Sequence, residues 1–248
     1  MSCRIVRKFN SDELPVGIIK GGRRNGQYVV VSQERGRKEV DLDDSDSECE
    51  IEPMMSKDLQ TLYVSGPRRC GKSTIIGKIL TNTQAPVYCF SASTGDKTIE
   101  NVIGKRFKRV DCETLVDDPI TSDQFENHVA LFDDIDSFDD KEVNKAVIDL
   151  HDNLLKCGRH RCKLLGVIRT NHAFFEAGKT KQSILHCDAV IAFPHSGGKG
   201  ALIQFLLRHM HLNKKQIDKI LDINSRWILL YRNSPTFVLS GKKIMLLD

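Results

Sequence analysis

Eight residues constrain this chain more than any others: Gly66-Pro67-Arg68-Arg69-Cys70-Gly71-Lys72-Ser73. They fit the pattern G-x-x-x-x-G-K-[ST]. Just before them, Thr61-Leu62-Tyr63-Val64-Ser65 is a short apolar run that predicts a buried strand. Just after them, Thr74 to Leu80 has helical spacing. Strand, glycine loop and helix in that order aim backbone N–H groups and a helix N-terminus at a triphosphate. Gly66 and Gly71 allow the chain to wrap closely around phosphate. Lys72 is expected to reach the β and γ oxygens of ATP, and Ser73 to ligate Mg2+. Arg69, Cys70 and Thr74 complete the candidate nucleotide site.

At 248 residues the chain has room for one large domain with a sizeable core, with or without an appendage. No stretch approaches the roughly 20 apolar residues of a membrane span. Met1-Ser2-Cys3-Arg4 opens no apolar leader, so no secretory signal is expected. Eight cysteines occur without a C-x-x-C pair, and several fall in predicted strands or in the loop. That usage suits reduced thiols in a cytosol-like compartment. Cys157, His160 and Cys162 could ligate zinc, but their spacing fits no standard pattern. Charge is uneven: residues 195–248 carry nine Lys/Arg against three Asp/Glu, whereas residues 61–194 carry 18 of each. A basic C-terminal segment fits a polyanion partner, or simply a solvated lysine-rich surface.

Residues 1–56 read as a separate β-hairpin appendage with an acidic linker. Val16–Ile19 and Gln27–Val31 flank a turn ending in Asn25-Gly26. The run Glu39–Glu48 is too polar to bury anything and predicts a flexible connection. From residue 57 to 248 strand and helix signals alternate. Strands are expected at Pro86–Ser91, Val129–Phe132, Leu164–Ile168 and Ala189–Phe193, with helices at Thr98–Lys105 and Lys141–Leu155. The second helix carries an apolar stripe of Val143, Ala146, Val147, Leu150 and Leu154. Near-continuous apolar strands between helices imply an α/β fold, a mainly parallel sheet covered on both faces. Ligands of such sheets bind at the carboxyl ends of the strands. Past Pro194 the pattern predicts helices at Ala201–Met210 and Lys214–Leu221, then a C-terminal β-hairpin from Trp227–Tyr231 and Thr236–Leu239, with Ile244–Leu247 as a possible further strand.

The Val129–Phe132 strand ends in Asp133-Asp134, the Walker B arrangement of apolar strand followed by acid. Asp133 is the expected Mg2+ carboxylate and Asp134 the general base for water. A second acid favours hydrolysis over transfer to a small acceptor, which brings its own nucleophile. Asp136 reads as a helix N-cap. Arg159, in Cys157-Gly158-Arg159-His160-Arg161, could complement a helix C-terminus or neutralise a γ-phosphoryl group across a subunit boundary. At the end of the fourth strand, Arg169-Thr170-Asn171-His172 offers γ-phosphate sensors. Asn171 is the candidate, with a turn N-cap as its other role.

Taken together, Gly66–Thr74, Leu131-Phe132-Asp133-Asp134-Ile135 and Gly158-Arg159-His160 ahead of an apolar strand resemble the genome-packaging ATPases of large DNA viruses. These poxvirus-like enzymes belong to the FtsK–HerA superfamily of P-loop DNA pumps. The likeness covers residues 57–248. It implies a RecA-like P-loop NTPase fold and a homo-oligomeric ring, a hexamer, that drives double-stranded DNA into a capsid. It implies a capsid or portal-vertex partner, and a location in the host cytoplasm at the viral factory and in the virion. It makes Lys72 and Ser73 the triphosphate and Mg2+ residues, Asp133 the metal carboxylate, Asp134 the catalytic acid and Arg159 the leading trans-acting finger. Three features depart from the family: Pro67-Arg68-Arg69 replaces small residues, Asp134 stands where other pumps often have Glu, and Asn171 or its neighbours stand where relatives carry Gln. DNA contacts are expected among Lys214, Lys215 and Lys219, or Arg232, Lys242 and Lys243. Two other readings compete: an ATP-controlled virion-assembly switch without pumping, and another P-loop NTPase such as a small-molecule kinase.

Overall fold

A computed structural model describes residues 1–42, 48–93, 97–158, 166–172 and 180–247. The chain forms two compact units, Gln60–Cys187 and the combination of Met1–Leu59 with Asp188–Asp248.

The Gln60–Cys187 unit is built on five parallel strands: β6 (Thr61–Ser65), β7 (Val87–Ser91), β8 (Phe107–Arg109), β9 (Val129–Asp133) and β10 (Gly166–Asn171). Their order is β6-β10-β9-β7-β8. β10 therefore lies between the strand feeding the glycine loop and the strand ending in the two aspartates. β6 and β10 are buried at every position, which is why both read as unbroken runs rather than as alternating ones. Helix α1 (Lys72–Thr83) follows the loop and buries Ile75, Ile76, Ile79 and Leu80. A shorter helix, α2 (Thr98–Ile103), follows β7.

Helix α3 (Lys141–Asn153) starts at Asp140, whose side chain accepts from the Glu142 and Val143 amides, and continues into a π turn, Leu154–Gly158. Its predicted stripe packs as expected. Val143, Val147, Leu150 and Leu154 form one core with Phe90, Ala130, Phe132 and Val167, and Ala146 lies against it. Phe132 stacks on Phe90 at 4.8 Å and meets the edge of the His151 ring at 5.0 Å. Burying a ring of this size contributes about 1.5–3 kcal/mol, and here it fixes the strand residue just before Asp133.

The other unit holds an antiparallel sheet of β1 (Ser2–Val6), β3 (Tyr28–Ser32), β2 (Leu14–Lys20) and β5 (Glu50–Pro53), in the order β1-β3-β2-β5. The predicted hairpin is present as β2 and β3. A second antiparallel run joins β11 (Ala189–Ala192), β12 (Ile228–Tyr231), β13 (Phe237–Ser240), β14 (Lys243–Leu246) and β4 (Glu39–Asp41). The start of the acidic run differs from expectation, and its residues 43–47 lie outside the described residues. Glu39–Asp41 is not a loose connection but a strand, with Val40 opposite Ile244. Lys243 pairs with Glu39 and with Asp41, and the Leu42 and Ile51 amides donate to the Lys242 and Gly241 carbonyls. Glu39–Asp41 thus meets the basic C-terminal strands, within the unit that holds both Met1–Leu59 and Asp188–Asp248. Hydrogen bonding and opposite charge outweigh the low β propensity of Glu and Asp. No helix among the described residues is long and apolar enough to cross a membrane.

Candidate active site

The glycine loop leaves β6 at Gly66, whose amide donates to the Asn171 carbonyl at 3.2 Å. Arg69 and Gly71 both have positive φ, 64° and 112°. Such alternation turns successive N–H groups into one concavity. Gly71 caps α1 and has no side chain to compete for the first N–H groups of the helix. Cys70 is buried, Ser73 is half-buried and Thr74 is exposed on that first turn. Lys72 is buried, and its ammonium donates to the Gly66 carbonyl at 2.8 Å and to the Pro67 carbonyl at 3.4 Å. A cationic donor inside a cradle of backbone amides is the donor set a triphosphate requires.

Asp133 closes β9 and Asp134 follows it in the left-handed region, φ 48°. A non-glycine residue there is strained and must be held. The Asp134 amide donates to Thr170 Oγ1 at 3.0 Å. The Thr170 hydroxyl in turn donates to Asp133 Oδ1 at 2.7 Å, with Asp134 Oδ1 farther off at 3.4 Å. Ser137 supports the turn through its hydroxyl and amide, both donated to the Asp134 carbonyl. Two carboxylates at one strand end, next to a hydroxyl-lined phosphate loop, suit a hard, oxygen-seeking cation such as Mg2+.

The pleat of β10 separates two sets of side chains, because successive residues point to opposite faces. Arg169 and Asn171 share one face: both donate to Asp136, the Asn171 amide at 2.8 Å. Thr170 belongs to the other, with Asp133 and Asp134. Asn171, chosen from the sequence as γ-phosphate sensor, therefore spends its amide on Asp136. Asp136 itself is not a helix cap but the acceptor of this buried pair. Beyond the strand end, His172 meets the site: Nδ1 lies 2.9 Å from Lys72 Nζ, and Nε2 lies 2.9 Å from Asp134 Oδ2. Within the Arg169–His172 run the sequence favoured Asn171, and the residue that meets Lys72 and Asp134 is the next one along. The available signal was parity, since 170 and 172 share a side.

The loop and the twin aspartates thus leave the same sheet edge, joined through Thr170 and His172. Arg159, His160 and Cys162 lie outside the described residues. Of the expected DNA contacts, Lys242 and Lys243 are engaged within their own unit, by the Cys49 carbonyl and by Glu39 and Asp41, so neither projects as a loose surface cation. Lys214, Lys215 and Lys219 are exposed on the helix Lys214–Leu221. Cys3, Cys49, Cys70, Cys89, Cys112 and Cys187 are buried thiols outside any disulfide.

No protein-family profile matches the chain. Over 239 residues it is 27% identical to the uncharacterized protein V3 of Sputnik virophage, covering 93% of this chain and 94% of that one. Among solved structures it is similar to the genome packaging NTPase B204 of Sulfolobus turreted icosahedral virus 2. In its AMP complex the identity is 13%, the coverage 75% of this chain and 98% of that one, and the TM-score 0.49. The pCW3 conjugation coupling protein TcpA, bound to ATPgS, matches 93% of this chain and 77% of its own at 13% identity and a TM-score of 0.46.

Proposed function

We propose that this P-loop protein is a Mg2+-dependent ATPase that moves double-stranded DNA into a viral capsid as a ring of identical subunits. One observation carries the enzymatic half. Lys72 in its glycine loop and the Asp133–Asp134 pair emerge at one sheet edge, one strand apart, tied together by Thr170 and His172. Lys72 and the first amides of α1 would bind the β and γ phosphates. Ser73 and Asp133 would hold Mg2+, which when bound neutralises charge on the phosphoryl oxygens. Asp134 would take the proton of the attacking water, a role suited to a carboxylate whose backbone is fixed beside the metal ligand.

The packaging half rests on the Phe132-Asp133-Asp134-Ile135 and Gly158-Arg159-His160 blocks. B204 is named as a genome packaging NTPase, and the proposal gives this chain the same task. DNA would be gripped through its phosphates without sequence readout, with Lys214, Lys215 and Lys219 as the candidate contacts.

The test is ATP turnover with and without double-stranded DNA at two salt concentrations. A motor shows DNA-stimulated hydrolysis that weakens as salt rises. Turnover indifferent to DNA would point to an assembly switch, and transfer to a small acceptor to a kinase. For Arg159, wild-type and Arg159→Ala subunits are mixed. Activity falling faster than the wild-type fraction supports a finger acting across a subunit boundary, whereas simple proportionality removes it.

A further inference from the structure

We propose that His172 is a positioning residue that couples phosphate binding at Lys72 to the placement of Asp134, an inference that rests on the ATPase reading above. A lysine ammonium has three N–H donors and no acceptor. Two of those donors go to the Gly66 and Pro67 carbonyls of its own loop, and the third goes to His172 Nδ1. Nδ1 must therefore accept, so the ring proton sits on Nε2 and is donated to Asp134 Oδ2. One neutral imidazole thus bridges the phosphate-binding cation and the candidate base.

Asp134 is held by donors of unequal reach. Thr170 has a single hydroxyl proton, and Asp133 Oδ1 at 2.7 Å takes it in preference to Asp134 Oδ1 at 3.4 Å. The Asp134 backbone is fixed at positive φ by its amide bond to Thr170, but its carboxylate is oriented mainly by His172. A phosphoryl oxygen entering the loop needs a Lys72 donor. The Gly66 and Pro67 carbonyls belong to the loop that closes on the phosphate, whereas Nδ1 is the acceptor outside it, and the donor proposed to pass to the phosphate is the one on Nδ1. Released on that side, the imidazole, 42% exposed, is free to turn and re-aim the carboxylate it holds. Phosphate arrival and the setting of the base are then one event.

The test separates binding from turnover. His172→Ala should leave the Kd for ATP unchanged or a few-fold tighter while kcat falls at least about tenfold. His172→Gln should recover most of kcat, because its amide offers an acceptor and a donor across one carbon, as the imidazole does. In 15N spectra of the imidazole, Lys72→Ala should move the His172 Nδ1 signal and Asp134→Asn the Nε2 signal, both without nucleotide. A non-hydrolysable ATP analogue added to wild type should shift Nδ1 as Lys72→Ala does. The proposal is overturned by wild-type kcat in His172→Ala, by equal losses in Kd and kcat that Gln fails to rescue, or by ring signals that ignore an analogue shown by calorimetry to bind. A wild-type protein that binds no analogue would instead end the ATPase reading itself.

Discussion

Arg169 Nη2 donates to both carboxylate oxygens of Asp136, at 2.9 and 2.8 Å, while Nη1 donates to Ser183 Oγ at 2.9 Å. This guanidinium is 1% exposed, in the middle of a parallel sheet. Removing one partner of such a buried pair costs about 3–5 kcal/mol, because the remaining charge keeps its burial without its counter-ion. Asp136→Asn leaves the fully buried guanidinium without its counter-ion and should therefore lower unfolding free energy by about that amount in urea titrations. Arg169→Met leaves only the Asp136 carboxylate, 15% exposed and so partly solvated, and should cost less. Equal stability in Asp136→Asn and wild type would mean the pair is not what locks β10 to the turn after β9.

The two halves of the candidate site should fail in different ways. Lys72→Ala removes the cationic donor and should raise the Kd for nucleotide. Asp134→Asn keeps the shape of the carboxylate but not its basicity. It should bind nucleotide normally and lose about 10²–10⁴ in turnover. Calorimetry and phosphate release measure the two quantities separately, and normal turnover in Asp134→Asn would remove it as the base.

Gln84 ends α1 at φ 60°, with its side-chain amide donating to the Thr81 carbonyl at 2.7 Å. The left-handed conformation costs a non-glycine residue roughly 1–2 kcal/mol, part of which the extra flexibility of unfolded glycine cancels. Gln84→Gly should thus gain about 0.5 kcal/mol, and Gln84→Val should lose stability. A thermal melt of both variants checks the order.

His151 is fully buried, its Nδ1 paired with Asp152 at 2.9 Å, and burial pushes its pKa below the usual imidazole value. The folded protein therefore prefers the neutral ring. Above the unfolded pKa of about 6.5 there is no penalty, and stability is lost as pH falls from there toward the lower folded value. The melting temperature should drop between pH 7 and pH 5. His151→Leu should flatten that part of the curve, and an unchanged slope would assign the acid sensitivity to other groups.

The local sequence determined each chemical group and most of the scaffold. The glycine loop, the strand before it, the helix after it, the Asp133–Asp134 pair and the α3 stripe are all legible, because each is written in contiguous residues with a period of two or 3.6. What the tertiary structure alone decided depends on partners far apart in the chain. Which strand separates the loop from the aspartates is a matter of sheet order. Whether Asn171 or His172 faces Lys72 depends on the phase of one strand end, where a shift of one residue exchanges the two sides. That Glu39–Asp41 forms a strand depends on Lys243, about two hundred residues away. A polar run carries no sign of its own strand pairing, since its hydrogen bonds and counter-charges come from elsewhere in the fold.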